Sequence, residues 1–205
     1  MFLLIGLGLG PGDPELLTLR AVRLLREADQ VFVPGMRAHR LVSPYCTAEV
    51  LTFPMTNDGE TIARCMEENA ERVRGPATSG TAVLGIIGDP NFFSTFWRLC
   101  RVIRDRYPEI TCATEPGVSA ITAFASIAGV SFSDGFVVSD GGLPGSRILL
   151  KVRRPKETAE RLAREGYRDF VLVERMYMED MRVYRGNSLP ETSDYFSILY
   201  AGRKE

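Results

Sequence analysis

Residues 2–18, FLLIGLGLGPGDPELLT, decide the architecture. Residues 2–9 are a dense apolar run closed by glycine and proline, the pattern of a strand buried on both faces of a parallel sheet. The period then changes. Leu17, Ala21, Leu24, Leu25 and Ala28 recur at helical spacing, with Thr18 as N-cap and Asp13-Pro14 as an earlier alternative start. Strand, turn and helix in that order predict an α/β chain.

The alternation continues outward from this unit. Strands are predicted at 30–34, 49–53, 81–87 and 110–114. Between them stand an amphipathic helix carrying Ile62, Cys65, Met66, Ala70 and Val73 on one face, a helix at 94–106, and one of small residues at 119–128. After Gly129 the texture changes. A Gly/Pro/Ser stretch at 139–146 leads to strands at 147–152, 169–174, 182–185 and 195–201 and a helix near 156–165. Two lobes are expected, 1–115 and 116–205, hinged near Glu115-Pro116-Gly117, with the cleft between them a natural small-molecule site.

Bulk composition narrows the function classes. Lys plus Arg (25) nearly balance Asp plus Glu (26), which leaves no net field to hold a nucleic acid. Cys46, Cys65, Cys100 and Cys112 form no CxxC pair and read as small apolar fillers of a reduced, cytoplasmic protein. The apolar start lacks a basic leader, and no apolar run reaches the roughly 18 residues of a membrane helix, so a soluble protein is expected.

The glycine-rich turn excludes two common readings. Gly6, Gly8, Gly10 and Gly12 alternate and so break the G-x-G-x-x-G register of a dinucleotide fold. Pro11 and Pro14 remove backbone donors that a phosphate cradle needs, and no Lys-Ser/Thr pair follows. What remains is either a plain tight turn or a place for close backbone approach to a ligand at the carboxyl end of a first strand.

The stretch 8–18 resembles the opening signature of the tetrapyrrole (corrin/porphyrin) methylases. Gly88-Asp89-Pro90 and Pro116-Gly117-Val118-Ser119-Ala120 match that family's later motifs in order. Phe53-Pro54-Met55-Thr56, Ser94-Thr95-Phe96 and Tyr195-Phe196-Ser197 look like its precorrin-2 C-20 methyltransferase branch. The resemblance implies a two-lobed class III methyltransferase fold, with a mainly parallel sheet in the first lobe and a mixed sheet in the second. It also implies a homodimer, S-adenosyl-L-methionine in the interlobe cleft with S-adenosyl-L-homocysteine as product, and an anionic tetrapyrrole substrate. Carried over motif by motif, Pro11, Ile87, Gly88, Asp89, Phe92, Ser119 and Ala120 would bind the cofactor, with Leu150, Lys151 and Met176 contributing from the second lobe. The chain departs from the pattern by trimmed loops after Pro34 and in the second lobe.

Methyl transfer from a sulfonium needs no metal, and the single histidine, His39, has no ligand pattern around it and reads as a surface residue. The main task is to hold a meso carbon at about 3–3.5 Å from the methyl group and keep water out. Carbonyls around 88–90 would orient that methyl through weak C–H···O contacts. Asp13 and Glu115 are the candidate bases for the meso proton, each with a structural alternative: Asp13 as a helix cap, Glu115 as an acceptor for nearby backbone donors. Asp89 either shapes its turn or holds a ribose hydroxyl.

Lys151-Val152-Arg153-Arg154-Pro155-Lys156 concentrates positive charge, and Arg153 and Arg154 are the candidate partners of substrate carboxylates, a solvated face being the alternative. Phe92, Phe93, Phe96 and Trp97 offer a surface for stacking a macrocycle, although core packing is the expected fate of most of them. A same-fold methylase with another acceptor and a non-catalytic cofactor-binding protein are the rival readings. A nicotinamide oxidoreductase is disfavoured by the glycine register.

Overall fold

Strand β1 (Leu3–Gly8) lies between β4 (Thr81–Ile86) and β5 (Thr111–Glu115). With β2 (Gln30–Val33) and β3 (Ala48–Val50) they form a parallel sheet of order β3-β2-β4-β1-β5 in this computed structural model, which describes residues 2–139, 141–142 and 144–203. Side chains alternate along a strand, so Leu4 serves one face and Ile5 and Leu7 the other. Leu4, Phe32 and Leu84 pack with Met66, Ala70 and Val73 of α3 (Gly59–Ser79) and with Leu99 and Ile103 of α4 (Phe96–Arg106). Ile5, Leu7, Val31 and Val83 pack with Ala21 and Leu25 of α1 (Leu19–Glu27) and with Ala38, Leu41 and Val42 of α2 (Met36–Val42). Each large side chain so buried contributes about 1.5–3 kcal/mol.

Glycine inside β1 is part of this packing. A Cβ on Gly6 would sit 2.8 Å from the ring of Phe96, so the bare strand admits the ring that opens α4. Both alternative starts of the first helix are used in succession. Asp13 accepts the Glu15 N–H (2.9 Å) and caps a 3-10 turn at Pro14–Leu16, and Thr18 Oγ1 then accepts the Ala21 N–H (3.0 Å) at the start of α1. Asp58 caps α3 in the same way through the Thr61 N–H at 3.0 Å. Helix α2 was not expected from the sequence; its Ala38, Leu41 and Val42 carry the i, i+3, i+4 signal, but over seven residues that signal spans barely two turns.

The chain divides into compact units Met1–Ser131 and Phe132–Glu205. The boundary expected at 115/116 therefore falls inside the first unit, which also holds α5 (Ala120–Ala128). In the second unit β6 (Ser146–Leu150), β7 (Asp169–Glu174), β8 (Arg182–Arg185) and β9 (Ser197–Gly202) form a sheet of order β6-β9-β7-β8. Every pairing in it is antiparallel, which corrects the expected mixed sheet. Strands β6 and β7 run in the same direction around α6 (Pro155–Arg164), but β9 inserts between them, opposed to both. Val152, Leu162, Tyr167, Leu172 and Leu199 form this unit's core.

All four cysteines are free, with Cys65 and Cys100 buried and Cys46 and Cys112 partly so. Interaction with the Cys112 thiol, reinforced by burial, pushes the Cys100 thiol up, while the same interaction draws Cys112 down against the opposing effect of burial. Positions 140 and 143 of the Gly/Pro/Ser stretch lie outside the described residues. Among the described residues no helix is long and apolar enough to cross a membrane.

Candidate active site

Because β1, β4 and β5 are parallel neighbours, their carboxyl ends deliver three loops to one edge of the first sheet. Such an edge is where open α/β sheets bind ligands. The first two loops are joined by a bridge: Gly88 N–H donates to Gly10 O at 2.6 Å, and Gly10 N–H to Gly88 O at 3.3 Å. Asp89 joins the second loop to the third. Its Oδ2 accepts the Gly117 N–H at 3.1 Å, while Oδ1 accepts the backbone N–H of Asn91 at 2.8 Å and its side-chain amide at 3.1 Å. The carboxylate is buried, and these three donors satisfy it.

Close approach of backbones completes the triangle. A Cβ on Gly8 would lie 2.2 Å from Gly117 N, and one on Gly117 would lie 2.6 Å from Gly88 O, so neither position has room for a side chain. Gly88 itself has φ of +83° and open space where a Cβ would project. The result is three loops packed backbone against backbone, with open space on the Cβ side of the buried Gly88.

Seven of the expected cofactor residues stand on these loops. Pro11 is half-buried just beyond the bridge, Ile87 and Phe92 are exposed on either side of Gly88-Asp89, Ser119 caps α5 through the Ile121 N–H at 3.2 Å, and Ala120 begins that helix. The two expected bases are engaged structurally. Asp13 caps its 3-10 turn, and Glu115 accepts Arg20 at 2.9 Å in place of the backbone donors anticipated for it. The aromatic patch corrects another expectation: only Phe96 is core, while Phe92, Phe93 and Trp97 are exposed. Phe92 and Phe93 fall in the turn before α4, where they miss the helical face that buries Phe96.

In the second unit Leu150, Lys151 and Met176 gather at one end of the sheet. Lys151 follows β6 with φ of +57° and donates its N–H to Ser197 O at 2.8 Å; Arg175, beside Met176, follows β7 and donates to Phe196 O at 2.7 Å. The basic run splits in two. Arg154 pairs with Glu157 at 3.2 Å and Lys156 with Glu191 at 2.5 Å. Lys151 Nζ and the Arg153 guanidinium instead lie 5.1 Å and 6.0 Å from the centre of the Tyr195 ring, with no carboxylate paired to either among the described residues.

Comparison with known proteins gives the arrangement a family. The family model of the Tetrapyrrole (Corrin/Porphyrin) Methylases matches residues 3–188. The chain belongs to the tetrapyrrole methylases. It is 28% identical to a probable cobalt-precorrin-2 C(20)-methyltransferase of Methanocaldococcus jannaschii, covering 97% of this chain and 95% of that protein. It is 30% identical to a precorrin-2 C(20)-methyltransferase of a Sinorhizobium species, covering 96% and 93%. The crystal structure of a putative cobalamin synthesis related protein (CobF) from Corynebacterium diphtheriae has the same fold, with a TM-score of 0.51, 14% identity and coverage of 98% and 97%.

In this tetrapyrrole methylase the sequence reading missed Gly8 and Gly117 as site-building residues, although both lie in quoted motifs. Their role depends on the approach of loops more than a hundred positions apart, which no local pattern encodes. It also missed Arg20, the partner of Glu115, and helix α2 with its arginines. Among the described residues no three His, Cys, Asp or Glu side chains are grouped as a metal site.

Proposed function

We propose that the chain transfers the methyl group of S-adenosyl-L-methionine to C-20 of precorrin-2 or cobalt-precorrin-2, a step of corrin biosynthesis, leaving S-adenosyl-L-homocysteine. The observation that carries the donor half is the backbone-on-backbone packing at Gly8, Gly88 and Gly117. The acceptor half rests on the two relatives named for that reaction, each matched over nearly its whole length.

The residues present fit the donor. Gly88, although buried, leaves the space on its Cβ side open, Ile87 and Phe92 offer apolar surface beside it, and Asp89 holds the loops in place. Pro11, Ser119 and Ala120 would complete the hold. When bound, the donor supplies an electrophilic methyl carbon on a sulfonium. The chain's own contribution is orientation and dryness: bridged loops fix the direction of approach before the acceptor arrives, which removes an entropic cost from the reactive encounter. The C–S bond breaks with its electron pair on sulfur, the meso carbon forms the new C–C bond, and one proton leaves the acceptor.

We also propose a homodimer. Helix α5 buries none of its residues and leaves Phe124 and Ile127 exposed, surface that a second copy would cover.

The deciding experiment is incubation with methyl-labelled S-adenosylmethionine and either form of the acceptor. A labelled methyl group on C-20 by NMR is expected. A methyl group on another carbon would move the chain elsewhere in its family, and tight cofactor binding without product would make it a non-catalytic binder.

A further inference from the structure

Helix α2 brings two cations to the first loop. Gly12 and Pro14 of that loop, with Arg37, Arg40, Leu41 and Pro44, line an open cavity of about 380 Å³. Arg37 and Arg40 are spaced i, i+3 and so share a side of the helix. Arg72 and Arg106 of the same unit are paired, at 2.5 Å with Glu49 and 2.9 Å with Glu67. Arg37 and Arg40 have no such partner among the described residues; the nearest acids in sequence, Asp29 and Glu49, are taken by the Thr81 N–H and by Arg72, and Asp13 of the first loop accepts the Glu15 N–H.

Two uncompensated guanidinium groups in a concavity beside the loop of the first motif form a receptor for carboxylates, because the planar fork of arginine matches a carboxylate's two oxygens. We propose that Arg37 and Arg40 bind peripheral carboxylates of the tetrapyrrole acceptor and so fix which part of its rim lies over the loop platform. This rests on the methyltransferase reading above for the identity of the acceptor. The amino-acid end of the donor carries a carboxylate too, so the test separates the two sources.

The probes are uroporphyrin III, its octamethyl ester and S-adenosylhomocysteine, each titrated against the unaltered chain and the R37Q/R40Q and R37K/R40K variants. Both positions are exposed, so the fold tolerates the changes, which unchanged circular dichroism verifies. The unaltered chain is expected to bind uroporphyrin III, more weakly as salt rises, and to bind the ester poorly. R37Q/R40Q is expected to lose about tenfold or more in uroporphyrin affinity while keeping its affinity for S-adenosylhomocysteine, and R37K/R40K to fall between. Equal uroporphyrin affinity in R37Q/R40Q, failure of the unaltered chain to bind it, or a loss confined to S-adenosylhomocysteine overturns the site. Absence of methyl transfer to precorrin-2 alongside a charge-dependent affinity for uroporphyrin would instead overturn the reaction and leave the site standing.

Discussion

The carboxylate of Asp89 accepts the backbone N–H of Gly117 at 3.1 Å, across 28 positions of chain. One buried side chain thus fixes the second and third loops together, and its other oxygen shapes its own turn through Asn91. D89A leaves the Gly117 N–H without that acceptor, at a cost of about 1–3 kcal/mol. It also frees the loops proposed to hold the donor. The expected outcome is a lower urea midpoint together with loss of S-adenosylhomocysteine binding in calorimetry, with D89N intermediate on both. Unchanged cofactor affinity in D89A would detach this link from the binding site.

Two glycine substitutions of identical chemistry are expected to act in opposite directions. G8A drives a methyl group to within 2.2 Å of Gly117 N and forces the first and third loops apart, which destabilises by about 1–3 kcal/mol and weakens the cofactor site. Gly59, the first residue of α3, has nothing within 4 Å of a Cβ, so G59A is expected to stabilise by about 0.4–1 kcal/mol and leave cofactor affinity alone. Chemical denaturation of both variants, with cofactor titrations, reads the contrast.

The parts of this molecule that declare themselves locally were legible in its sequence. β1, α1 with its Thr18 cap, and β7 and β8 fall where periodicity puts them. The insertion of β9 between β6 and β7 was not legible, because strand order is settled by long-range pairing and each strand's own pattern is silent about its neighbour's direction. The same division runs through the site. Gly88-Asp89-Pro90 stands out as a motif, but the bond from Asp89 to Gly117 and the packing of Gly8 on Gly117 exist only once three loops meet. Arg153 and Arg154 looked alike in sequence and are separated only by where Glu157 and Tyr195 stand in space.

That separation sets the third prediction. Arg154 is exposed and already paired with Glu157, whereas Arg153 has an aromatic face and no paired carboxylate among the described residues. R153Q is expected to raise KM for the tetrapyrrole by about tenfold with kcat held, the sign of lost ground-state binding. R154Q is expected to change KM by less than about threefold, as exposed ion pairs contribute little. Similar effects from both substitutions would show that the run acts as diffuse charge.

Self-association is open to a direct measurement. Sedimentation is expected to give a dimer for the unaltered chain, and F124D/I127D, on the exposed surface of α5, to give a monomer with unchanged helix content. A monomer without the substitutions would refute the homodimer.

The remaining question is where the meso proton goes. Glu115 ends β5 and accepts Arg20 at 2.9 Å; Asp13 is committed to the Glu15 N–H. A carboxylate acting as general base typically carries a factor of about 10²–10⁴ in rate, and it must be able to turn toward the carbon that loses the proton. Both groups are instead held, Glu115 by Arg20 of α1 and Asp13 within its own turn. Once the methyl group is on, the acceptor is cationic and sheds its proton readily, so water suffices as acceptor and alignment governs the rate. E115Q and D13N are therefore each expected to lower kcat by less than about tenfold, with a flat pH profile through the carboxylate range. A fall of about 100-fold in kcat at unchanged KM, together with loss of an acidic limb from the pH profile, would identify the residue altered as the base and make its present partner a gate on catalysis.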